Sequence, residues 1–247
     1  MLTHPIFEKL KTLKLQGMCQ ALEVQMGNSE YQKLAFEERL GLLVDNEITE
    51  QEGKRLQTRL KTAKFRQNAC MQDIDYRSSR GLDKSLMCSL ESCGWVSKHR
   101  NVLIIGPTGT GKTFIAEALG HQACLRGHTS KNIRLPTLFS ELIVSKADGS
   151  YFKLMSSMSK YDVLILDDLG IAPLTDEQRR DLLEIIDARY NQKATIITSQ
   201  LPIKIWHEAI GDSTLADAIM DRIVHNAYRI ELKGDSMRKK AAQQDEK

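Results

Sequence analysis

The segment that most constrains this chain is a run of eight residues, Gly106-Pro107-Thr108-Gly109-Thr110-Gly111-Lys112-Thr113. It fits the pattern G-x-x-x-x-G-K-[ST] of a phosphate-binding loop at every fixed position. The apolar run from Asn101 to Ile105 before it predicts a buried strand, and Phe114 to Arg126 follows with helical spacing. Such a loop points backbone N–H groups at phosphate oxygens, and the helix N-terminus adds partial positive charge. We therefore expect a bound nucleoside triphosphate, with Lys112 at the β- and γ-phosphates and the Thr113 hydroxyl on Mg²⁺.

Composition is that of a soluble globular protein, with 247 residues, 41% of them hydrophobic and 27% charged. No apolar stretch reaches the length of a membrane helix and the N-terminus has no signal-peptide core, so we expect a cytoplasmic location and no membrane partner. A net charge of +3 permits nucleic-acid binding without requiring it. The five scattered cysteines form no C-x-x-C pair, which favours reduced thiols over a metal site.

A second motif completes the nucleotide site. Residues 162–168 form an apolar strand that ends in two carboxylates, as in a Walker B element. Asp167 is expected to bind Mg²⁺ through its water shell, together with Thr113. Asp168 is placed to orient and deprotonate the attacking water. The two motifs together predict Mg²⁺-dependent triphosphate hydrolysis.

Two other polar residues are candidates for the site. Gln200 follows a predicted strand, Ala194 to Thr198, and its amide can donate to phosphate and orient a water; the alternative is an exposed strand end. Arg222 lies near the end of a predicted helix, Thr214 to Asn226. It could complete the site of a neighbouring subunit as an arginine finger, or pair locally with an acid.

Residues 1–66 have helical periodicity throughout and predict a small helical domain. Its last thirteen residues contain no acid and form an amphipathic basic helix. One interpretation is contact with the DNA backbone, and the alternative is a solvated helix face. The cations concerned are Lys54, Arg55, Arg59, Lys61, Lys64 and Arg66.

Residues 67–100 are predicted to be a linker that leads into the nucleotide site. From residue 101 to residue 240, strands and helices alternate, which indicates a three-layer α/β ATPase domain with a parallel sheet. The polar tail, residues 241–247, is predicted to be disordered. The further predicted elements are strands at 132–135, 161–167 and 228–232, and helices at 137–146, 151–159 and 175–190.

Taken together, these motifs resemble the AAA+ ATPases, within them the replication-initiator and helicase-loader branch, and closely the IstB-like helper ATPases of insertion-sequence transposition. The resemblance covers nearly the whole chain. Its carriers, besides the phosphate-binding loop, are the helical start Leu10-x-x-Leu13-x-Leu15-x-Gly17-Met18, Arg80-Gly81-Leu82-Asp83, Leu164-Ile165-Leu166-Asp167-Asp168-Leu169-Gly170, Thr198-Ser199-Gln200 and Gly234-Asp235-Ser236-Met237-Arg238.

The resemblance implies a sheet of strand order 5-1-4-3-2, a reduced or absent helical lid, and Arg238 as a candidate lid-type arginine. It implies ATP and Mg²⁺ as cofactors and a homo-oligomer on DNA whose ATP sites are shared between subunits. IstB-like proteins bind duplex DNA with little sequence preference, remodel it, and recruit and activate a partner transposase. The lysines of two consecutive helices, Lys146, Lys153 and Lys160, are then candidate DNA contacts, and DNA is expected to stimulate hydrolysis.

Other functions remain open at this point. A DnaC-like loader would use the same core to hold a replicative helicase. A small-molecule kinase would have no use for the basic tract. Asp168 is one methylene shorter than the Glu of most AAA+ proteins, so a nucleotide-gated DNA scaffold with little turnover also remains possible.

Overall fold

The structure is a computed structural model, and it describes residues 5–76, 80–234 and 236–237. Two compact units are present, which comprise residues 1–58 and residues 59–247. No helix within the described ranges is both long and apolar enough to cross a membrane.

The N-terminal unit consists of helices α1 (Pro5–Thr12) and α2 (Gln16–Gly27), a short 3-10 helix (Ser29–Lys33) and most of α3 (Phe36–Ala63). Polar contacts join α2 to α3. The Asn46 amide donates to the Gly17 carbonyl at 2.7 Å, and Glu47 accepts from the Met18 N–H at 3.0 Å. The sequence therefore gives the helical N-terminal region expected from its periodicity.

The C-terminal unit alternates strands and helices. After a short 3-10 helix (Met71–Asp73), its elements are α4 (Lys84–Glu91), α5 (Gly94–Ser97), β1 (Asn101–Ile105), α6 (Lys112–Leu125), β2 (Ser130–Arg134), α7 (Leu135–Asp148), α8 (Tyr151–Lys160), β3 (Val163–Leu169), α9 (Asp176–Arg189), β4 (Ala194–Ser199), α10 (Ile203–Ile210), α11 (Ser213–Val224) and β5 (Ala227–Glu231).

The five strands form one parallel sheet of order β2-β3-β4-β1-β5. Read from the other edge, this is the predicted order 5-1-4-3-2, which is thereby confirmed. Because β1 lies between β4 and β5, the loop that follows β1 starts from an inner strand of the sheet. In parallel sheets, ligands bind beyond the carboxyl ends of the strands, near such a change in strand order.

Alternation along the strands creates the three layers. Leu103 and Ile105 of β1 belong to an apolar core with helices α7 to α11, while Val102 and Ile104 pack on the other face with α4, α5 and α6. Every residue of β1 is buried, as expected for a strand covered on both faces.

Several predicted boundaries were wrong. The second strand is Ser130–Arg134, not 132–135, and the third continues through both acidic residues to Leu169. Helix α10 was not predicted. It follows Pro202, spans eight residues and buries Trp206 and Ile210. Residues 241–247 lie outside the described residues.

Arg189 connects the amino ends of β3 and β4 to the helices beside them. It is 1% exposed, at the last position of α9. Its guanidinium donates to the carbonyls of Met158 (2.6 Å), Tyr161 (2.9 Å) and Ala194 (2.5 Å). Burial lowers the pKa of Arg189 to about 9. A buried cation of this kind is tolerated because its donors are satisfied.

We predict that Arg189→Met lowers the free energy of unfolding by about 2–4 kcal/mol, because the substitution leaves buried carbonyls without a donor. Urea denaturation followed by circular dichroism measures this loss. A control, Arg126→Met, replaces an exposed arginine at the C-cap of α6 and should change stability little. Equal stability of Arg189→Met and the original chain would contradict the prediction.

Candidate nucleotide-binding site

The phosphate-binding loop connects β1 to α6, as its sequence predicts. Lys112 is the first residue of α6 and is buried. Its ammonium donates to the carbonyls of Gly106 at 2.7 Å and Pro107 at 2.9 Å. The loop thus surrounds the ammonium of Lys112. A phosphate oxygen bound there can replace a loop carbonyl as the acceptor of its hydrogen bond.

Ser236 and Met237, which follow β5, lie against this loop. The Met237 N–H donates to the Gly109 carbonyl at 2.8 Å. Gly109 has φ +82°, and a Cβ there would collide with the Ser236 side chain. Glycine is required at this position for two reasons, its left-handed backbone and the close approach of the tail. Arg238, the candidate lid-type arginine, lies outside the described residues.

At the carboxyl end of β3, Asp167 accepts two threonine hydroxyl hydrogen bonds. Thr113, from the loop, donates at 3.0 Å, and Thr198, from β4, donates at 2.5 Å. Asp167 is 1% exposed. The structure therefore brings together Thr113 and Asp167, the two residues predicted to hold a metal ion.

Asp168 turns away from the regular strand. Its φ is +69°, a left-handed conformation that is uncommon for a residue with a side chain, and the β3–β4 register shifts between Leu166 and Leu169. The backbone N–H of Asp168 donates a hydrogen bond to the Thr198 hydroxyl at 3.0 Å. Its carboxylate accepts from Arg134 Nε at 2.7 Å, in an ion pair whose side chains are 35% and 17% exposed for Arg134 and Asp168. The acid predicted to activate water is thus held by an arginine at the end of β2.

Gln200 lies over the loop beyond the end of β4. Its Oε1 accepts from the Thr108 hydroxyl at 2.6 Å. A cavity of about 760 Å³ opens beside these groups, large enough for a nucleotide. Its lining includes the loop and both acids, and also residues of the segment before β1: Arg66, Gln67, Asp73, Asp75 and Arg80.

One buried carboxylate beneath the cavity was not predicted. Glu117, on α6, is 1% exposed and accepts from the backbone N–H groups of Arg66 (3.1 Å) and Gln67 (3.3 Å) and from the Asn132 amide (2.6 Å). Burial raises the pKa of Glu117, and the two backbone hydrogen bonds oppose this shift. An acid among the apolar residues of α6 was the available signal.

Sequence reasoning also missed Arg134 and Thr198. Each stands at or near the end of a strand, but the contacts they make depend on strand register. Arg134 pairs with Asp167 in the β2–β3 ladder, so its side chain reaches the neighbouring Asp168. The sequence signal in both cases was a polar residue at or near the carboxyl end of a strand.

Other predicted residues lie away from the cavity. Arg222 does not line it; its Nε donates to Asp187 at 2.5 Å. Lys146 bonds Glu177 and Asp181, each at 2.8 Å. Burial disfavours its charge, yet hydrogen bonds to these carboxylates raise the pKa of Lys146 overall.

The six predicted cations of the basic tract differ in their surroundings. Arg59 turns inward and donates to the Cys124 carbonyl at 3.0 Å, and Lys54 pairs with Glu50 at 3.2 Å. Exposed residues at the remaining tract positions and in α8 are Arg55, Lys61, Lys64, Arg66, Lys153 and Lys160.

The parallel sheet, the loop that follows β1 and the two acids near the carboxyl end of β3 define a P-loop fold of the AAA+ class. The structure of the replication initiator DnaA bound to AMPPCP and single-stranded DNA superimposes with a TM-score of 0.59 at 17% identity, over 74% of this chain and 55% of that one. The crystal structure of DnaI gives 0.59 at 25% identity, over 67% of this chain and 91% of DnaI.

Sequence comparison defines the family. A family model described as IstB-like ATP binding protein matches residues 8–245, so the chain belongs to the IstB-like ATP-binding family. A putative insertion sequence ATP-binding protein of Sinorhizobium fredii, y4pL, is 46% identical over 97% of this chain and 98% of its own length. The IS1162 putative ATP-binding protein of Pseudomonas fluorescens is 44% identical over 82% of this chain and 88% of its own length.

The buried Glu117 predicts a pH dependence of stability. Its folded-state pKa is raised above the ordinary 4.5, so the folded chain holds this proton more tightly than the unfolded chain. Stability from this group is present below pH 4.5 and is lost as pH rises through the folded value. We expect Glu117→Gln to lack this loss, so that its free energy of unfolding gains on the original chain as pH rises.

Chemical denaturation between acid and neutral pH measures the difference between the two curves. Hydrogen bonds rearranged by the substitution change the free energy of unfolding by the same amount at every pH, so they do not affect the slope of that free energy against pH. Glu208→Gln, which changes an exposed carboxylate on α10, is the matched control. Parallel curves for Glu117→Gln and the original chain would rule out a raised pKa.

Proposed function

We propose that this chain is a Mg²⁺-dependent ATPase that assists insertion-sequence transposition. It oligomerises on duplex DNA, remodels the DNA, and recruits and activates a transposase at the target site. The observation that carries this proposal is the arrangement of Thr113, Asp167 and Asp168 beside the phosphate-binding loop, in a chain of the IstB-like family. Binding alone needs the loop, whereas hydrolysis also needs the two acids.

The residues present fit a magnesium ion. The Thr113 hydroxyl and the Asp167 carboxylate are hard oxygen donors, 3.0 Å apart at the base of the loop. These two residues would hold Mg²⁺, which would neutralise the negative charge of the bound phosphates.

The remaining groups have separate roles in hydrolysis. Lys112 binds the terminal phosphates in place of the loop carbonyls that its ammonium now contacts. Asp168 accepts the proton of the attacking water once Arg134 releases its carboxylate. Gln200, beside Thr108, orients that water or donates to the γ-phosphate.

Arg222 supports a site shared between subunits. Because it does not line the cavity of its own chain, it can reach a γ-phosphate only in a neighbouring copy. Its pair with Asp187 is partly exposed, with side chains 29% and 59% accessible, and such solvent-screened ion pairs contribute little stability. An arginine supplied in trans then makes hydrolysis depend on assembly.

The exposed cations at the end of α3 support contact with duplex DNA. Lys61, Lys64 and Arg66 are exposed, and contacts of this type carry no sequence preference. Lys153 and Lys160 on α8 are proposed as further phosphate contacts. Lys146 contributes only where DNA displaces its two carboxylates.

A helicase loader is the second candidate function. The crystal structure of the DnaC helicase loader superimposes with a TM-score of 0.55 at 22% identity, over 66% of this chain and 97% of that one, which is a likeness of fold. Binding assays that offer the chain a transposase in one arm and a replicative helicase in the other distinguish the two candidates.

We predict that Asp168→Asn binds ATP with unchanged affinity but hydrolyses it about 100-fold more slowly, because water loses its base. Arg222→Ala should be equally slow while it retains binding. Mixed in equal amounts, the two inactive variants should recover about a quarter of the original rate, because one in four randomly formed sites combines an intact Asp168 with an intact Arg222.

Phosphate release in the presence of duplex DNA measures these rates. Asp187→Asn frees Arg222 without removing it and should stay active. If the two variants co-assemble without recovery, the arginine does not act between subunits. Undiminished turnover by Asp168→Asn would remove that residue from the role of base.

We also predict that the double substitution Lys61→Glu and Lys64→Glu weakens binding to every duplex sequence. The slope of log affinity against log salt concentration should fall by about 2, one for each lost phosphate contact. Fluorescence anisotropy across a salt series measures it. The matched control, Lys98→Glu with Lys204→Glu, makes the same charge change at exposed positions outside the tract. An unchanged slope would assign the tract to protein contacts.

A further inference from the structure

A second cation is buried beside the phosphate-binding loop, outside the loop motif. Arg80 precedes β1 in the chain, is 5% exposed, and contributes to the lining of the cavity. Burial lowers the pKa of Arg80 against the opposing charge of Asp75. The loop motif alone does not require a cation at this place.

The contacts of Arg80 are directional. One terminal nitrogen, Nη1, donates to the Thr110 carbonyl at 3.0 Å, and the other, Nη2, donates to the Asp75 carbonyl at 2.9 Å. Its Nε is buried and meets no acceptor among the described residues. One planar group therefore joins the phosphate-binding loop to the segment at the other side of the cavity.

The bond to Thr110 fixes the orientation of one peptide unit of the loop. No described peptide bond is cis, and in a trans unit the C=O of Thr110 and the N–H of Gly111 point in opposite directions. By holding the carbonyl, Arg80 turns the Gly111 N–H to the other side of the loop. Gly111 lines the cavity, whereas Thr110, whose carbonyl Arg80 holds, does not line it.

Gly111 also shows how closely the arginine approaches. Its φ is +94°, and a Cβ there would lie 2.7 Å from Nη1 of Arg80. The last glycine of the motif is thus required by the arginine behind it as well as by its left-handed backbone.

A buried cation with an unsatisfied donor is costly for the empty protein. A polyphosphate in the cavity would offset that cost, because charges interact more strongly when they are shielded from water. A bound nucleotide would thus offset the unfavourable free energy of burying the Arg80 guanidinium.

We propose that Arg80 is a positioning residue of the phosphate site. It sets the Gly111 N–H toward the nucleotide phosphates and adds a positive charge to the wall of the cavity beside the loop. This inference rests on the ATP binding included in the proposed function, and on neither hydrolysis, DNA nor a transposase.

Isothermal titration of the full-length chain with ADP and with ATP, without DNA, tests the proposal. Arg80→Met, which keeps much of the volume, should weaken both nucleotides about 10- to 100-fold, since it removes a charge-assisted hydrogen bond. Arg80→Gln should weaken them about as much, and Arg80→Lys less, because it keeps the charge and one donor.

Arg189→Met is the matched control, a buried arginine that also bonds backbone carbonyls but lies outside the cavity lining. It should lower the melting temperature and leave both nucleotide affinities within about twofold. Unchanged affinity in Arg80→Met, or equal losses in Arg80→Met and Arg189→Met, would overturn the proposal.

If Arg80→Met fails to fold, Arg80→Gln and Arg80→Lys decide the matter, and equal affinity of both with the original chain overturns it. A failure of the proposed function has a different signature. The original chain would then bind neither nucleotide, or would bind both without hydrolysis, and the second case leaves the role of Arg80 intact.

Discussion

The carboxyl ends of the five parallel strands lie at one end of the sheet, and this common end determines where the polar groups of the site lie. The phosphate-binding loop follows β1, Asp167 ends the regular part of β3, Thr198 is near the end of β4, and Arg134 ends β2. The strands are covered on both faces, so their ends cannot shift independently. A network of contacts between 2.5 and 3.0 Å can therefore be built from residues far apart in the sequence, without a dedicated scaffold.

The charged side chains of the site are compensated by contacts within the protein. Lys112 is bonded to loop carbonyls, Asp167 to two hydroxyl groups, and Asp168 to Arg134. Each contact occupies an atom that the proposed chemistry needs. The side chains of the site are thus held in position by hydrogen bonds to one another and to the loop. A bound nucleotide would exchange some of these hydrogen bonds for contacts with its phosphates.

Much of this arrangement could be predicted from the sequence, because the loop motif and the apolar strands are local signals. Both β1 and the phosphate-binding loop were predicted at the right positions, and so was the strand order that the family resemblance implied. The partners of Asp168 could not be predicted, since the approach of Arg134 depends on the β2–β3 register and on a left-handed backbone at Asp168 itself. Helix α10 was missed because eight residues after Pro202 give too few turns for a periodic signal. The bonds of Arg80 and Glu117 depend on tertiary packing, which no local pattern encodes.

The hydrogen bond between the Met237 N–H and the Gly109 carbonyl makes position 237 useful for a spectroscopic label. The peptide that follows β5 touches the loop that holds phosphate, so its last described residue stands at the rim of the nucleotide cavity. An environment-sensitive dye on a cysteine introduced at position 237 would lie within a few ångströms of an arriving phosphate. Position 237 is thus an attachment point for an optical sensor that reports whether the cavity holds a nucleotide.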